Sequence, residues 1–290
     1  MDDRVSIVVP HYDDLDRLDL CLASLAAQTL PRERVEIVVA DNGSPCGEAV
    51  LRDRIAGRAA LTICRDRGAG PARNAGVAAS RHPLLAFIDS DCVAAPGWLA
   101  GGVAALARAD LVGGRVDVSV RAPGRRSGAE AFEQVFAFDN RRYVEQLHFS
   151  VTANLFTRRA VFDAVGGFRT EVAEDLDWCR RAVAAGYRLA YADDAAIRHP
   201  ARADWAELKR KWQRLQREAH ATTLERRGGG VRWLARSWGL PPSILLHAPR
   251  VWRAATLDNR GERWRALATL ARLRLWRFAD EHRLWLGGSR

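Results

Sequence analysis

The chain has 290 residues, 28% charged and 48% apolar, which excludes wholesale disorder and leaves enough length for a sizeable core. Its net charge of +10 is uneven: residues 199–290 hold 20 Lys and Arg against 8 Asp and Glu, whereas residues 1–198 hold 25 against 27. The five scattered cysteines show no C-x-x-C pair or zinc spacing, no signal-peptide pattern precedes the first strand, and no run of about 18 uncharged apolar residues occurs, so a cytoplasmic chain without disulfides, structural zinc or a membrane-spanning helix is expected.

Residues 5–9 are a β-branched run closed by Pro10 and predict a buried strand. Leu15, Leu18, Leu22 and Leu25 recur close to helical spacing within 14–28. A strand over 35–40 ends in the turn Asp41-Asn42-Gly43-Ser44-Pro45, helix follows to about residue 55, and another strand covers 61–64. A glycine-rich turn leads into a helix over 71–80, and a strand over 84–88 stops at Asp89-Ser90-Asp91. Strands alternating with helices predict βαβ units and a mostly parallel sheet. In such sheets the ligand lies beyond the carboxyl ends of the strands, which is where Asp41, Asp89 and Asp91 fall.

The middle is less regular. A helix and then a strand are expected over 101–120, a polar loop over 121–128 and a helix over 129–146. A strand over 151–157, a helix over 159–165, the Gly166-Gly167 break, a helix over 174–185 stopped by Gly186 and a strand over 187–192 follow. From residue 203 the character changes: Trp205, Leu208, Trp212 and Leu215 recur on one helical face among Lys and Arg, Gly228-Gly229-Gly230 ends that helix, and residues 261–286 repeat the theme. The expected division is a domain over 1–200, with halves 1–118 and 119–200, and a basic amphipathic helical region over 201–290.

Five constellations carry chemistry. Phe87-Ile88-Asp89-Ser90-Asp91 places two carboxylates one residue apart at a strand end, a hard-oxygen corner suited to Mg²⁺ or Mn²⁺, although such a pair also caps helices. Asp41 could accept from a ribose or base edge, or merely close an Asx turn. The segment from Arg67 to Gly76 contains Gly-x-Gly but fails the dinucleotide fingerprint, its third glycine being misplaced; Arg67 and Arg73 at a helix start could still hold phosphate. Glu174-Asp175-Leu176-Asp177-Trp178 offers a general base, or simply acidic residues favoured by a helix dipole. His199 is a third metal ligand only if the chain folds back to Asp91, which spacing cannot show.

Taken in order, Val5-Ser-Ile-Val-Val-Pro-His-Tyr12, Val38-Val-Ala-Asp-Asn-Gly-Ser44, Ala72-Arg-Asn-Ala-Gly76, Phe87-Ile-Asp-Ser-Asp91 and Gly166-Gly-Phe168 with Glu174-Asp175 resemble glycosyltransferase family 2 over about residues 5–200. The resemblance implies an α/β GT-A fold and an inverting, metal-assisted transfer from a nucleoside-diphosphate sugar, UDP favoured with dTDP or GDP as alternatives, to a saccharide, lipid-linked or small-molecule hydroxyl. It implies that Pro10, Tyr12 and Asp41 line the base pocket and that Arg67 and Arg73 lie near the nucleotide or its phosphates. Asp89 is then near ribose and metal, Asp91 and His199 contact Mn²⁺ or Mg²⁺, and Asp175 is the base. Glu174, Asp177 and Trp178 are implied on the acceptor side. His11 stands where many relatives carry Asn or Thr, which leaves the nucleotide open.

The basic, Trp-rich C-terminal third lies outside this resemblance. Its stripes fit an interfacial helix on the inner face of an anionic membrane; helices packed on the catalytic domain or in a homodimer fit equally well. A nucleotidyltransferase would also use paired carboxylates, but would release pyrophosphate. A nucleic-acid-binding protein would explain the arginines, yet no nucleic-acid motif occurs and no nucleic-acid partner is expected.

Overall fold

The computed structural model describes residues 3–170, 172–224 and 228–287. Among them, strands β1 (Val5–His11), β2 (Val35–Asp41), β3 (Ala60–Ile63), β4 (Leu84–Ile88), β5 (Val93–Ala94), β6 (Leu111–Ser119), β7 (Asn154–Arg158) and β8 (Leu189–Pro200) form one sheet, in the order β3-β2-β1-β4-β7-β6-β8-β5. The first four pair in parallel, as the βαβ alternation requires. The rest is not parallel: β7 runs antiparallel to β4 and β6, and β5 antiparallel to β8. The sheet is therefore mixed, and the expected parallel order holds only where strand and helix alternate. A further difference is β8, which extends past the expected end at residue 192 to Pro200.

Helices α1 (Leu15–Ala26), α2 (Glu48–Ile55), α3 (Ala69–Ala78), α4 (Trp98–Ala105), α6 (Asn140–Leu147), α7 (Arg159–Val165) and α8 (Glu174–Ala184) belong with the sheet, and α5 (Gly128–Phe136) does not. The helix expected over 129–146 is thus two helices. Along β1, Val5, Ile7 and Val9 join one core cluster with Leu18, Leu22 and Trp98, while Val8 joins another with Phe87, Phe168 and Trp178. Alternate residues of one strand are buried on opposite sides, which explains why β1 reads as an unbroken apolar run.

Gly76 shows how tightly α3 is seated on this sheet. A Cβ there would lie 2.4 Å from Val8 Cγ1 and 3.3 Å from Ala40 Cβ. Helix propensity alone favours Ala over Gly by about 1 kcal/mol, but overpacking a core typically costs about 1–3 kcal/mol, and here the methyl has nowhere to go. Gly76→Ala is expected to lower unfolding free energy by roughly 1–2 kcal/mol, measured by urea denaturation; equal or greater stability would refute the close seating.

The chain forms two units, Met1–Asp117 with Asp139–His199, and Val118–Phe138 with Pro200–Arg290. The second takes in residues 118–138, of which the expected division gave 119–138 to the acceptor half. The reason is packing: Phe132 and Val135 of α5 share a core with Leu208 of α9 (Trp205–Leu224), Val251 of α11 (Ser243–Arg253) and Leu270 and Leu273 of α12 (Arg260–Leu286). Helix α10 (Gly229–Trp238) completes this unit. Arg126 fastens its edge, 2.7 Å from Asp258 and 2.6 Å from Glu262. Trp205, Trp212 and Trp276 pack against that same core. Trp205 and Trp212 of α9 and Trp276 of α12 therefore face inward, the packed arrangement and not a membrane face, whereas Trp264 and Trp285 of α12 stay exposed.

Candidate active site

The strand order reverses direction between β1 and β4, since β1 has β2 on one side and β4 on the other. Two strand ends that part company at such a point leave a crevice at their carboxyl edge. His11 ends β1 there with Tyr12 just beyond it, and Asp89 follows β4.

On the β1 side, Asp41 is buried and fully engaged. Its Oδ1 lies 2.9 Å from His11 Nδ1 and accepts from Ser44 Oγ at 2.5 Å, while Oδ2 accepts from the Gly43 and Ser44 amides at 3.0 and 2.9 Å. Burial pushes its carboxyl up, but the Ser44 hydroxyl and amide and His11 together hold it below the ordinary value. These contacts make Asp41 the foot of an Asx turn and a support for His11, not an exposed acceptor for a base edge. Pro10 is buried beneath, whereas the Tyr12 ring is 59% exposed and presents a stacking surface. Asn42, which sequence reasoning passed over, ties the next loop down: it donates to Asp66 O at 2.6 Å and accepts from the Gly68 amide at 2.8 Å.

Helix α3 links the two carboxylate motifs. Arg73 is buried and forks, with Nη2 2.7 Å from Asp89 Oδ1 and Nη1 3.0 Å from Glu174 Oε1. Its guanidinium lies 5.9 Å from the Phe168 ring centroid. Desolvation works against its charge, but Asp89 and Glu174 outweigh it and raise its pKa, so it stays a cation. Both arms of the fork are thus held by carboxylates. Asn74, one residue on, donates to Phe168 O and accepts from its amide, both at 2.8 Å, which pins the Gly166-Gly167-Phe168 loop onto α3. Arg67 lies exposed in the loop before α3.

Helix α8 opens with the acidic cluster. Asp175 has its carboxyl pushed up to about 6, by burial first and by Glu174 next; Arg73 pulls the other way without prevailing. That value suits a group that must be ionised near neutrality yet still hold a proton well. Asp177 is committed to Arg181 at 2.9 Å and Arg169 at 3.7 Å. Trp178 is wholly buried, bonded through Nε1 to Gly166 O at 2.9 Å and packed 5.6 Å from both Phe162 and Phe168. It is a core residue, which corrects its reading as an acceptor platform; with no exposed surface it has nothing to offer a sugar.

The return of β8 brings His199 to the D-x-D turn, through the register Val93↔Arg198 and Ala94↔Ile197. His199 Nε2 lies 3.7 Å from Asp91 Oδ2, and ligand atoms of Asp91, Cys92 and His199 all fall within 4.8 Å of one another. Burial, with Asp91 and Asp89 beside it, raises the Cys92 thiol well above its usual value. Cys92 therefore remains a thiol, and the usable donors are a carboxylate and an imidazole, an oxygen–nitrogen pair that fits Mn²⁺ or Mg²⁺ better than a thiolate-seeking ion.

The Glycosyl transferase family 2 model matches residues 6–166, the span holding β1, the Asp41 turn, α3 and the D-x-D turn. The chain belongs to glycosyltransferase family 2. A relative, glycosyltransferase AglE of Haloferax volcanii, is 32% identical over 217 residues, covering 72% of this chain and 71% of AglE. The pre-mycofactocin glycosyltransferase of Mycobacterium tuberculosis is 28% identical over 220 residues, and there the match spans 45% of the relative's length. Among solved structures, the mannosyltransferase PcManGT of Pyrobaculum calidifontis, in complex with GDP-Man and Mn²⁺, superposes with a TM-score of 0.58 at 22% identity, covering 98% of this chain and 84% of the other. S. aureus TarS 1-349 gives a TM-score of 0.54 at 16% identity over 97% of this chain and 74% of the other. These superpositions establish the GT-A fold for the family 2 chain, which is a glycosyltransferase.

Proposed function

We propose that this glycosyltransferase moves a sugar from a nucleoside-diphosphate donor to a hydroxyl acceptor by a single, inverting displacement. One observation carries the reading: Arg73 joins Asp89 of the D-x-D turn to Glu174, the immediate neighbour of Asp175. The residues suited to the donor diphosphate and the residue suited to the acceptor proton thus share one side-chain strut. The family's GT-A neighbours support it, one solved with GDP-Man and Mn²⁺ and another, GalNAc-T7, with UDP, GalNAc and Mn²⁺.

In this mechanism Tyr12 stacks on the base and Asp41 holds its turn in place. Asp175 accepts the acceptor's hydroxyl proton, the freed oxygen forms its bond to the anomeric carbon, and the bond to the nucleoside diphosphate breaks with its electron pair on phosphate oxygen. A hydroxyl of pKa near ~15 is a poor nucleophile, and a positioned base contributes roughly 10²–10⁴-fold. One base, with no second nucleophile beside it among the described residues, implies inversion, by the geometric logic of inverting hydrolases. Asp91 and His199, with Asp89 at hand, would hold Mn²⁺ or Mg²⁺, whose charge stabilises the departing diphosphate. The carboxylate Glu174 keeps 23% of its side-chain exposure beside the base, placed to meet an acceptor hydroxyl.

The experiment is a thermal-shift panel of UDP, dTDP, GDP, CDP and ADP with and without Mn²⁺. A ligand that binds only the folded chain at 100 times its Kd adds about 2.7 kcal/mol, several degrees in melting temperature. One nucleotide should give a Mn²⁺-dependent rise that Asp91→Ala abolishes. No rise with any nucleotide, or an unchanged rise in Asp91→Ala, would overturn the donor-site assignment. A product assay that found pyrophosphate would instead establish nucleotidyl transfer.

A further inference from the structure

Helix α11 is amphipathic the wrong way round for a helix packed on a water-soluble unit. Leu245 is 80% exposed, Leu246 75% and Trp252 40%, and Pro249 is exposed with them. At 100° per residue these four fall on one arc of the helix, and the exposed Arg250 and Arg253 lie within or beside it. The inward arc holds Val251, wholly buried, with Ile244, His247 and Ala248 partly covered. Most of the helix's large apolar side chains therefore face out. Neighbouring α12 adds to the patch, since Trp264 is 63% exposed and stacks edge-on against Trp252 at 5.3 Å. Scattered apolar residues on a surface are ordinary, but a contiguous set on one helical face marks an interaction site.

Charge identifies the occupant. Residues 199–290 carry 20 basic against 8 acidic residues, and Arg250 and Arg253 flank the apolar arc itself. Exposed Trp and Leu bordered by Arg form the pattern of a helix lying in the headgroup region of an anionic bilayer, with apolar side chains in the acyl boundary and guanidinium groups on lipid phosphate. The helix has 11 residues, about 16 Å at 1.5 Å per residue, against a hydrocarbon core of about 30 Å. That length suits a helix lying on a bilayer and is too short to cross one, and no helix of the described residues is long and apolar enough to cross.

We propose that the outer face of α11, centred on Leu245, Leu246 and Trp252 and flanked by Arg250 and Arg253, docks the full chain on an anionic lipid bilayer. This reading stands apart from the catalytic one, because it rests on surface chemistry of the second unit alone. It replaces the membrane face expected on α9, whose Trp205 and Trp212 pack against the core of their own unit, and takes from α12 only the exposed Trp264 beside Trp252.

The test is flotation of the full chain with vesicles of pure phosphatidylcholine, or of phosphatidylcholine with 30 mol% phosphatidylglycerol, at about 0.15 M salt. The unmodified chain should float with the anionic vesicles only. Leu245→Ser with Leu246→Ser should weaken that partition at least tenfold. Arg250→Ser and Arg253→Ser should each weaken it about fivefold, the effect of roughly 1 kcal/mol per surface cation. Leu245, Leu246 and Arg253 are exposed, so their variants should melt with the parent; Arg250 also lies 5.2 Å over the Phe136 ring, so the flotation of its variant is compared at matched melting temperature. Failure of the unmodified chain to float, or flotation indifferent to lipid charge and to the leucine pair, would overturn the proposal. So would a dimer in sedimentation that Leu245→Ser with Leu246→Ser converts to monomer, which would give the face to a second copy. The nucleotide panel reads a different unit, so each proposal can fail alone.

Discussion

Asp175→Asn is expected to lower turnover by about 10²–10⁴-fold, the usual contribution of a positioned general base, with the fold intact. Asn keeps the size and most of the hydrogen bonding of Asp and removes only the charge. The pH profile supplies the discriminating readout. With the carboxyl at about 6, kcat/KM of the parent should rise with slope one as pH passes upward through 6 and level off above it. The Asn variant should show no such limb. Stability should move the opposite way. The folded pKa exceeds the ordinary 3.8, so the folded chain holds this proton more tightly than the unfolded one. That stabilisation is complete below the unfolded value and lost as pH rises through about 6. At pH 8 the parent bears an ionised, crowded carboxylate, and Asp175→Asn should melt no lower and preferably higher. An Asn variant that retained activity, or lost it together with its melting temperature, would remove Asp175 from the base role.

Much of the donor side was legible because it is local. The strand ends, the Asp41 turn and the D-x-D turn each sit within a few residues of the pattern that announces them, and β-branched runs buried on both faces are hard to mistake. Pairings across long sequence separation were not legible. Arg73 reads as a phosphate ligand because it opens a helix after a glycine turn, yet its partner Glu174 is 101 residues away. His199 reached Asp91 only through the β5–β8 register. Trp178 beside an acidic motif suits a sugar platform and a core equally well, and only the packing of Phe162 and Phe168 decides between them. The C-terminal helices illustrate the same limit. Helical spacing shows that Trp205, Leu208 and Trp212 share a face, but periodicity cannot tell whether that face looks inward. The exposed apolar arc of α11 is harder to find from sequence, because proline usually breaks a helix, yet Pro242 leads into α11 and Pro249 sits on its outer face.

Arg73→Met should cost about 3 kcal/mol of unfolding free energy at pH 8, the lower end of what removing one partner of a buried ion pair costs. The lower end applies because Asp89 and Glu174 keep 31% and 23% of their side-chain exposure, so water partly replaces the lost cation. Met preserves the chain length that packs near Phe168, which separates loss of charge from loss of volume. Without the guanidinium, Asp175 loses the cation that pulls its carboxyl down and holds its proton more tightly in the folded state. The variant's deficit should therefore shrink at pH 5, where Asp175 is protonated, and grow toward pH 8. Because Arg73 pulls the Asp175 carboxyl down, the acid limb of kcat/KM should also move above 6. Arg73→Lys should recover less than half of the lost stability, since a single ammonium cannot fork to Asp89 and Glu174 as a guanidinium does. If Arg73→Met instead unfolds like the parent at both pH values, with an unshifted limb and a raised donor KM alone, the fork is not a strut. Arg73 would then be what the sequence first proposed, a ligand for the diphosphate.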